Sequence, residues 1–524
     1  MEDLRIRYNY FINHTDKTHT QHQEDGMVWC VQHESKKQDF QNIHGGIIAD
    51  EMGCGKTVMM ISLMVCNFMP RTLIVVPLAL ISQWKQNILE TTGHKPLVYY
   101  GSQTISSDAK IITNECPIVL TTYGVISHKY KKFYNTDILF KTKWDRVIFD
   151  EAHHMRNHKT QKYNAGIHLN SKIKWLITGT PIQNKIDDLY HLCEIIGIKN
   201  AKKIPLDLIK ENILKRTKRD VGIVLPDLHI HDLSVEWNND DEKKIADVLH
   251  KITQTNSDNG VVNTCSDKSD AKSYSLSDCE DICDSTKCYH DVTYNLSESK
   301  SSSDRKSMEF IPFMDKKDES TNLLSFINTI FGCHRLSYYL RCKQMCTLPS
   351  LLSDLQKKTY DDPNVIDNGL LHMNKIDELV KHMVLRKSNH KKIIFCSFRK
   401  EMDIIKENLE NNGIEDVHIY DGRISQKKRI NTLEKQPNVL ILQVKMGSEG
   451  LNLQYANEIY FVGPLWNPAM EDQAIGRCYR LGQINPTHVF KFNMNNIVVD
   501  NESCSMDNYM VDILERKRIL MEAL

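Results

Sequence analysis

Short runs rich in Ile, Val and Leu recur along the chain, separated by longer polar stretches with helical spacing. Between residues 24 and 235 the runs are Gly46–Ala49, Thr72–Val76, Pro117–Thr121, Arg146–Phe149 and Lys174–Thr178. Unbroken apolar runs of this length suit strands buried on both faces, and helices between them supply the crossovers of a parallel sheet. The alternation restarts at Lys392–Phe395 and continues through Val417–Tyr420, Val439–Gln443, Glu458–Val462 and Thr487–Phe492. The pattern therefore predicts two α/β lobes, with a cleft between them suited to a nucleotide.

The segment joining the lobes differs. Residues 253–320 are rich in Ser, Asp and Lys and poor in aliphatics, so they bury too little apolar surface to offset ordering entropy. Residues 321–356 return to helical patterning. At the C-terminus, Met510, Ile513, Leu514 and Lys517 form one stripe of an amphipathic helix. The predicted organisation is an extension over 1–23, a first lobe over 24–235, a helical and partly disordered insertion over 236–372, a second lobe over 373–500 and a closing helix over 501–524.

Composition narrows the class. The chain has 524 residues, 41% hydrophobic, enough for several cores. Its 67 basic and 67 acidic residues balance, which excludes a generic basic coat on DNA but not a basic cleft. No apolar run approaches the ~18–20 residues of a membrane span, and no signal-peptide core opens the chain, so a soluble intracellular protein is expected. The 15 cysteines read as free thiols. Cys265, Cys279, Cys283, Cys288 and His290 cluster in the insertion, followed by Cys333, His334, Cys342 and Cys346, but no CxxC knuckle occurs and zinc is not expected.

Two motifs carry chemistry. Gly45 to Thr57 reads as a strand, a glycine turn and a helix start. Gly53 and Gly55 free backbone N–H groups for phosphate oxygens, beside the positive end of a helix dipole. Lys56 would reach the β- and γ-phosphates of ATP, and Thr57 would bind Mg2+. Asp50 stands where the general phosphate-loop pattern wants glycine. Asp150-Glu-Ala-His153 follows an apolar strand; Asp150 is assigned to Mg2+ and Glu151 to general base.

In this wording the chain resembles the SWI/SNF-type helicase-like ATPases of helicase superfamily two. The resemblance runs in order from Gln21 to Gln483. QHQEDGMVWCVQHE resembles the family's opening segment, which makes Gln23 the adenine reader. GGIIADEMGCGKT is nearly the family's first motif, Asp50 included, and makes Asp50, Glu51, Met52, Gly53, Cys54, Gly55, Lys56 and Thr57 the nucleotide loop. TLIVVPLALISQWKQNI, IVLTTYGVI, DEAHHMRN and LITGTPIQN follow. YLRCKQMCTLPSL, KIIFCSFRKEMDII, YDGRISQKKR and VKMGSEGLNLQYANEIYFVGPLWNPAMEDQAIGRCYRLGQ match in the second half. Ser448, Glu449 and Gly463 depart from the usual wording there, near the expected DNA path.

The resemblance implies two tandem RecA-like lobes and an ATPase that moves on double-stranded DNA. It implies that Arg477 and Arg480, three apart on an expected helix, face the γ-phosphate, with Gln473 closing the site. Candidates for gripping DNA phosphates are Gln83, Lys85, Thr121, Thr122, Ser397, Arg399 and Trp466, without sequence preference. The wording leans toward the branch of the helicase-like transcription factor, without its RING finger. Expected roles are transcription, DNA repair or chromatin remodelling, in the nucleus or at a viral replication site, with a targeting protein partner. A strand-separating helicase and a non-catalytic DNA-binding scaffold remain open.

Overall fold

The computed structural model describes residues 2–15, 18–35, 43–101, 108, 110–111, 115–238, 242–243, 246–247, 335–352, 373–386, 388–444, 451–495, 497–499 and 502–522. The expected disordered segment 253–320 lies outside them, as do Cys333, His334, Ser448 and Glu449.

Two parallel sheets form the framework. The first contains β1 (His44–Ile48), β2 (Thr72–Val76), β3 (Leu97–Val98), β4 (Ile118–Thr122), β5 (Trp144–Asp150), β6 (Ser171–Ile177) and β7 (Ile213–Leu214), in the order β3-β4-β2-β5-β6-β1-β7. All its pairings are parallel, with Ile47 beside Leu176 and Phe149 beside Leu176. Successive strand residues enter opposite cores. Ile47, Val75 and Phe149 pack on one face, while Ile48, Ile74 and Ile148 pack on the other. The two-residue period thus turns a continuous apolar run into two hydrophobic layers, each covered by helices.

The second sheet contains β8 (Leu228–Val235), β9 (Lys392–Cys396), β10 (Val417–Tyr420), β11 (Val439–Gln443), β12 (Glu458–Phe461) and β13 (Thr487–Met494), in the order β10-β11-β9-β12-β13-β8. Ile394 and Ile441 enter one core, Ile393 and Leu440 the other. The fold is therefore two α/β lobes on parallel sheets.

Two boundaries differ from the sequence reading. β8, placed in the first lobe by the boundary at 235, pairs with β13 along its whole length from Leu228↔Thr487 to Val235↔Met494. It is an edge strand with a largely exposed, polar outer side, so it lacks the apolar run that marks the central strands. The division at residue 23 cuts the helix Gln21–Ser35. That helix and Glu2–Asn13 bury Tyr8, Phe11, Ile12 and Met27 against the first sheet. The C-terminal helix Met506–Glu522 buries Met510 and Leu514 and seats Asp507 against Lys375 in a fully buried ion pair.

Among the described residues, Cys30, Cys54, Cys66, Cys116, Cys193, Cys342, Cys346, Cys396 and Cys478 are free thiols. No helix among them is long and apolar enough to cross a membrane.

Candidate active site between the lobes

β1 ends at Ile48, and residues 49–55 turn back into the helix Lys56–Cys66. Two glycines make the turn possible: Gly53 has φ 92° and Gly55 φ 78°, both in the left-handed region. A Cβ on Gly55 would fall 2.1 Å from Gln23 Nε2, so a side chain there would push the end of Gln23 away from the loop. No side chain caps the helix start, which leaves its N–H groups facing the loop. Lys56 Nζ donates to the carbonyls of Asp50 (2.7 Å) and Glu51 (3.2 Å), inside the turn. Burial lowers the Lys56 pKa, and the negative charge of Glu151 opposes it most.

Gln23 lies against this loop, its amide 3.4 Å from the Cys54 carbonyl. Asp50 does not turn its carboxylate toward the loop interior. Arg216 grips it with two bonds, Nε at 3.1 Å and a terminal nitrogen at 2.5 Å, and a third bond runs from Arg216 to the His22 carbonyl (2.6 Å). The aspartate that departs from the general phosphate-loop pattern is therefore the anchor of an ion pair, with its side chain 1% exposed. Of Asp50, only the carbonyl meets Lys56.

At the end of β5, Asp150 accepts from Trp84 Nε1 (2.7 Å) and from the Glu151 N–H (2.9 Å), while Tyr123 donates to the Asp150 carbonyl (2.7 Å). Glu151 adopts φ 51°, a left-handed conformation costly for a residue with a side chain. That kink turns its carboxylate away from β5, to 3.3 Å from His153 Nδ1. Burial and the Glu151 charge raise the Asp150 pKa. Burial also pushes Glu151 upward, but His153, Arg477 and Lys56 outweigh it and hold Glu151 well below the usual range. Burial, with His153 beside it, lowers His154 far enough to keep that ring neutral. Asp150 and Glu151 thus present adjoining carboxylates, and oxygen donors are what Mg2+ prefers.

The second lobe closes over these groups. Arg477, in the helix Pro468–Cys478, places a guanidinium nitrogen 3.8 Å from Glu151 Oε1. Arg480 stands over the phosphate loop: a Cβ on Gly53 would lie 3.6 Å from that of Arg480. Met52 packs on the same helix, 3.5 Å from the position a Cβ on Gly476 would take. Gln473 is 2% exposed, and its Nε2 finds no hydrogen-bond partner among the described residues.

Arg480 is not on the helix with Arg477, as the three-residue spacing suggested. The helix ends at Cys478 because its last carbonyls are diverted: Arg477 O accepts from Leu453 N (3.1 Å) and Cys478 O from Gln483 Nε2 (3.3 Å). Gly482, at φ 97°, completes the turn. The two arginines therefore reach the cleft from a helix and from the turn after it.

A polar bridge also joins the lobes. Gln183 Oε1 accepts from Arg156 and from Asn467 Nδ2 (3.2 Å), so LITGTPIQN touches the WNPA segment directly. Among the expected DNA contacts, Gln83 is exposed on the helix Ile81–Thr92 and Lys85 is half-buried. Ser397, Arg399 and Trp466 are half-buried beyond the C-terminal ends of β9 and β12. Two candidates have hydroxyls engaged within the first lobe. Thr121 is fully buried and donates to the Tyr99 carbonyl (3.0 Å), and Thr122 caps the helix Tyr123–Phe133 by accepting from Val125 N (3.2 Å). Their hydroxyls serve the fold, as sequence alone does not reveal.

Residues 22–254 match the SNF2-related domain, and residues 374–482 match the helicase conserved C-terminal domain. The chain carries an SNF2-related domain followed by a helicase C-terminal domain. Similar curated proteins include the DNA repair protein RAD5 of Eremothecium gossypii, 26% identical over 92% of this chain and 56% of that protein. Others are the DNA repair protein RAD5B of Arabidopsis thaliana, 27% identical over 87% and 44%, and the DNA repair protein rad8 of Schizosaccharomyces pombe, 26% identical over 91% and 52%. The chain spans about half the length of these relatives. Among solved structures, the Sulfolobus solfataricus SWI2/SNF2 ATPase core in complex with dsDNA is 20% identical with a TM-score of 0.37, covering 97% of this chain and 92% of that one.

Sequence reasoning missed two residues of the SNF2-related domain. Arg216 clamps Asp50. Lys218 Nζ lies 3.0 Å from Glu51 and donates to the Tyr479 carbonyl of the helicase C-terminal domain (3.5 Å). Both follow β7, a strand of two residues, and no local pattern marks them.

Proposed function

We propose that the chain is a DNA-dependent ATPase that moves on double-stranded DNA in DNA repair. The observation that carries this reading is Arg477 of the second lobe meeting Glu151 of the first, beside Lys56 and the phosphate loop. The DNA repair names of its relatives support the process, and the QAIGRCYRLGQ wording supports the branch of the helicase-like transcription factor.

The triphosphate of ATP would sit on the Gly53–Thr57 turn, with Lys56 turning from the loop carbonyls to its β- and γ-oxygens. Gln23 would meet the base. Thr57 and Asp150 would hold Mg2+, which when bound neutralises phosphate charge. Glu151, kept ionised by His153 and Arg477, orients the attacking water and takes its proton. Arg477 and Arg480 stabilise the charge that develops on the leaving phosphate, and Gln473 offers its uncommitted amide to the same site. Because the two arginines belong to the second lobe, turnover is tied to lobe closure. Gripping phosphates with both lobes would turn closure into stepping, without sequence preference. Gln83, Lys85, Ser397, Arg399 and Trp466 stay as candidates for that grip.

The test is ATP hydrolysis with and without duplex DNA, comparing wild type with Lys56→Ala. Strong stimulation by duplex, absent in the variant, supports the reading; equal activity in both proteins refutes it. Robust ATP-dependent release of a strand from a plain duplex would replace the translocase by a strand-separating helicase.

A further inference from the structure

The chain passes from the first sheet to the second along residues 215–227, and the start of this strap is registered on the phosphate loop. Ala49 N donates to Leu214 O (2.7 Å), and Glu51 N to Arg216 O (2.8 Å), so the strap continues the β1–β7 pairing into the loop. Lys218 N then donates to Glu51 Oε2 (2.8 Å), and Lys218 Nζ ion-pairs with Glu51 Oε1 (3.0 Å). The same ammonium donates to the Tyr479 carbonyl (3.5 Å) and lies 5.1 Å from the centre of the Tyr479 ring.

Three features fit a lysine there. The Tyr479 carbonyl is at the C-terminal end of the helix Pro468–Cys478, the negative end of its dipole, where a cation is favoured. An aromatic face attracts the same charge, and the lysine side chain is only 14% exposed. The lysine stem packs beside Gly53: a Cβ there would be in ordinary contact, 3.4 Å from Lys218 Cε. Tyr479 lies directly between Arg477 and Arg480 in effect, two residues after one and next to the other, so a bond to its carbonyl fixes the turn that delivers both guanidiniums.

We propose that Lys218 is a positioning residue that ties the phosphate loop to the arginine-bearing turn and holds the two lobes in the closed, hydrolysis-competent arrangement. The inference rests on the ATPase reading above. It assigns Lys218 no contact with ATP. Lys218 acts through Glu51 on one side and Tyr479 on the other.

The experiment uses the full chain with duplex DNA. Lys218→Ala and Lys218→Gln are expected to lower kcat about tenfold while KM for ATP stays within about twofold, because closure rather than docking is impaired. Lys218→Arg is expected to recover at least half of the wild-type kcat, since a guanidinium can reach the carboxylate, the carbonyl and the ring. Dyes on the two lobes, read by energy transfer without nucleotide, should show a more open population for Lys218→Ala and Lys218→Gln, but not for Lys218→Arg. Wild-type kcat with an unchanged lobe distance in the Ala and Gln variants would overturn the proposal, as would a raised KM at unchanged kcat. If wild type and Lys56→Ala hydrolyse ATP alike, the ATPase reading fails by itself, and the lobe distance still judges Lys218.

Discussion

The two lobes are built on the same plan and supply their chemistry differently. In the first, the working groups sit on loops directly after strands: the phosphate loop after β1, Asp150 and Glu151 at the end of β5. The strand fixes the loop, and the loop fixes the residue. In the second, Arg477 comes from a helix and Arg480 from the turn after it, at a place set by Leu453, Gln483 and Lys218. A site on strand ends is positioned by its own sheet, whereas a site on a helix exit is positioned by its own turn and by residues of other elements, Leu453 and Lys218. The first lobe should therefore bind nucleotide by itself, and the second should add turnover.

The largest effect should come from Lys56→Ala, which removes the only lysine of the phosphate loop. ATPase activity should fall at least about a hundredfold, with nucleotide binding weakened as well, measured by phosphate release and by a fluorescent ATP analogue. Arg477→Ala separates the lobes' roles: kcat should fall about a hundredfold while analogue binding changes less than about threefold. Loss of binding as large as the loss of kcat would mean that both lobes share the ground-state grip.

Arg216→Ala strips the buried Asp50 of its partner. The unfolding free energy of the first lobe should drop by about 3 kcal/mol, read as a lower denaturation midpoint in urea. An unshifted midpoint would contradict the anchor role.

The smallest effect concerns the second lobe. Glu401 accepts from the N–H groups of Ser397 (2.9 Å) and Phe398 (2.8 Å), and burial pushes its pKa up to about 7. A carboxyl raised above its unfolded value binds its proton more tightly in the folded state, so its contribution is full below the unfolded pKa, near 4.5, and is lost as pH rises toward 7. Glu401→Gln mimics the protonated form. The stability of wild type relative to Glu401→Gln should therefore fall between pH 5 and 8; a flat difference would refute the shift.

The contrast also explains what the sequence revealed. The central strands were legible because burial on both faces leaves an apolar run with no polar interruption, as in Thr72–Val76 and Val439–Gln443, both found at those residues. β8 was not, because an edge strand with a half-exposed, histidine-bearing outer side resembles a loop until β13, more than 250 residues later, pairs with it. Lys56, Asp150 and Glu151 stood out as candidates because a glycine turn before a helix and a carboxylate pair after a strand are patterns within a few residues; their roles are proposals. Arg216 and Lys218 did not stand out, because the groups they hold, Asp50, Glu51 and Tyr479, are distant in sequence. Thr121 and Thr122 read as contacts because a hydroxyl at a strand end can face a ligand; here the same hydroxyls satisfy a carbonyl and a helix start.

The central claim is that both lobes enclose one triphosphate. A structure of the full chain with Mg2+ and a non-hydrolysable ATP analogue tests it directly. Lys56 Nζ and the Arg477 guanidinium should both lie within about 3 Å of γ-phosphate oxygens. An analogue held by the first lobe alone, with Arg477 turned away from it in the presence of duplex DNA, would contradict the account.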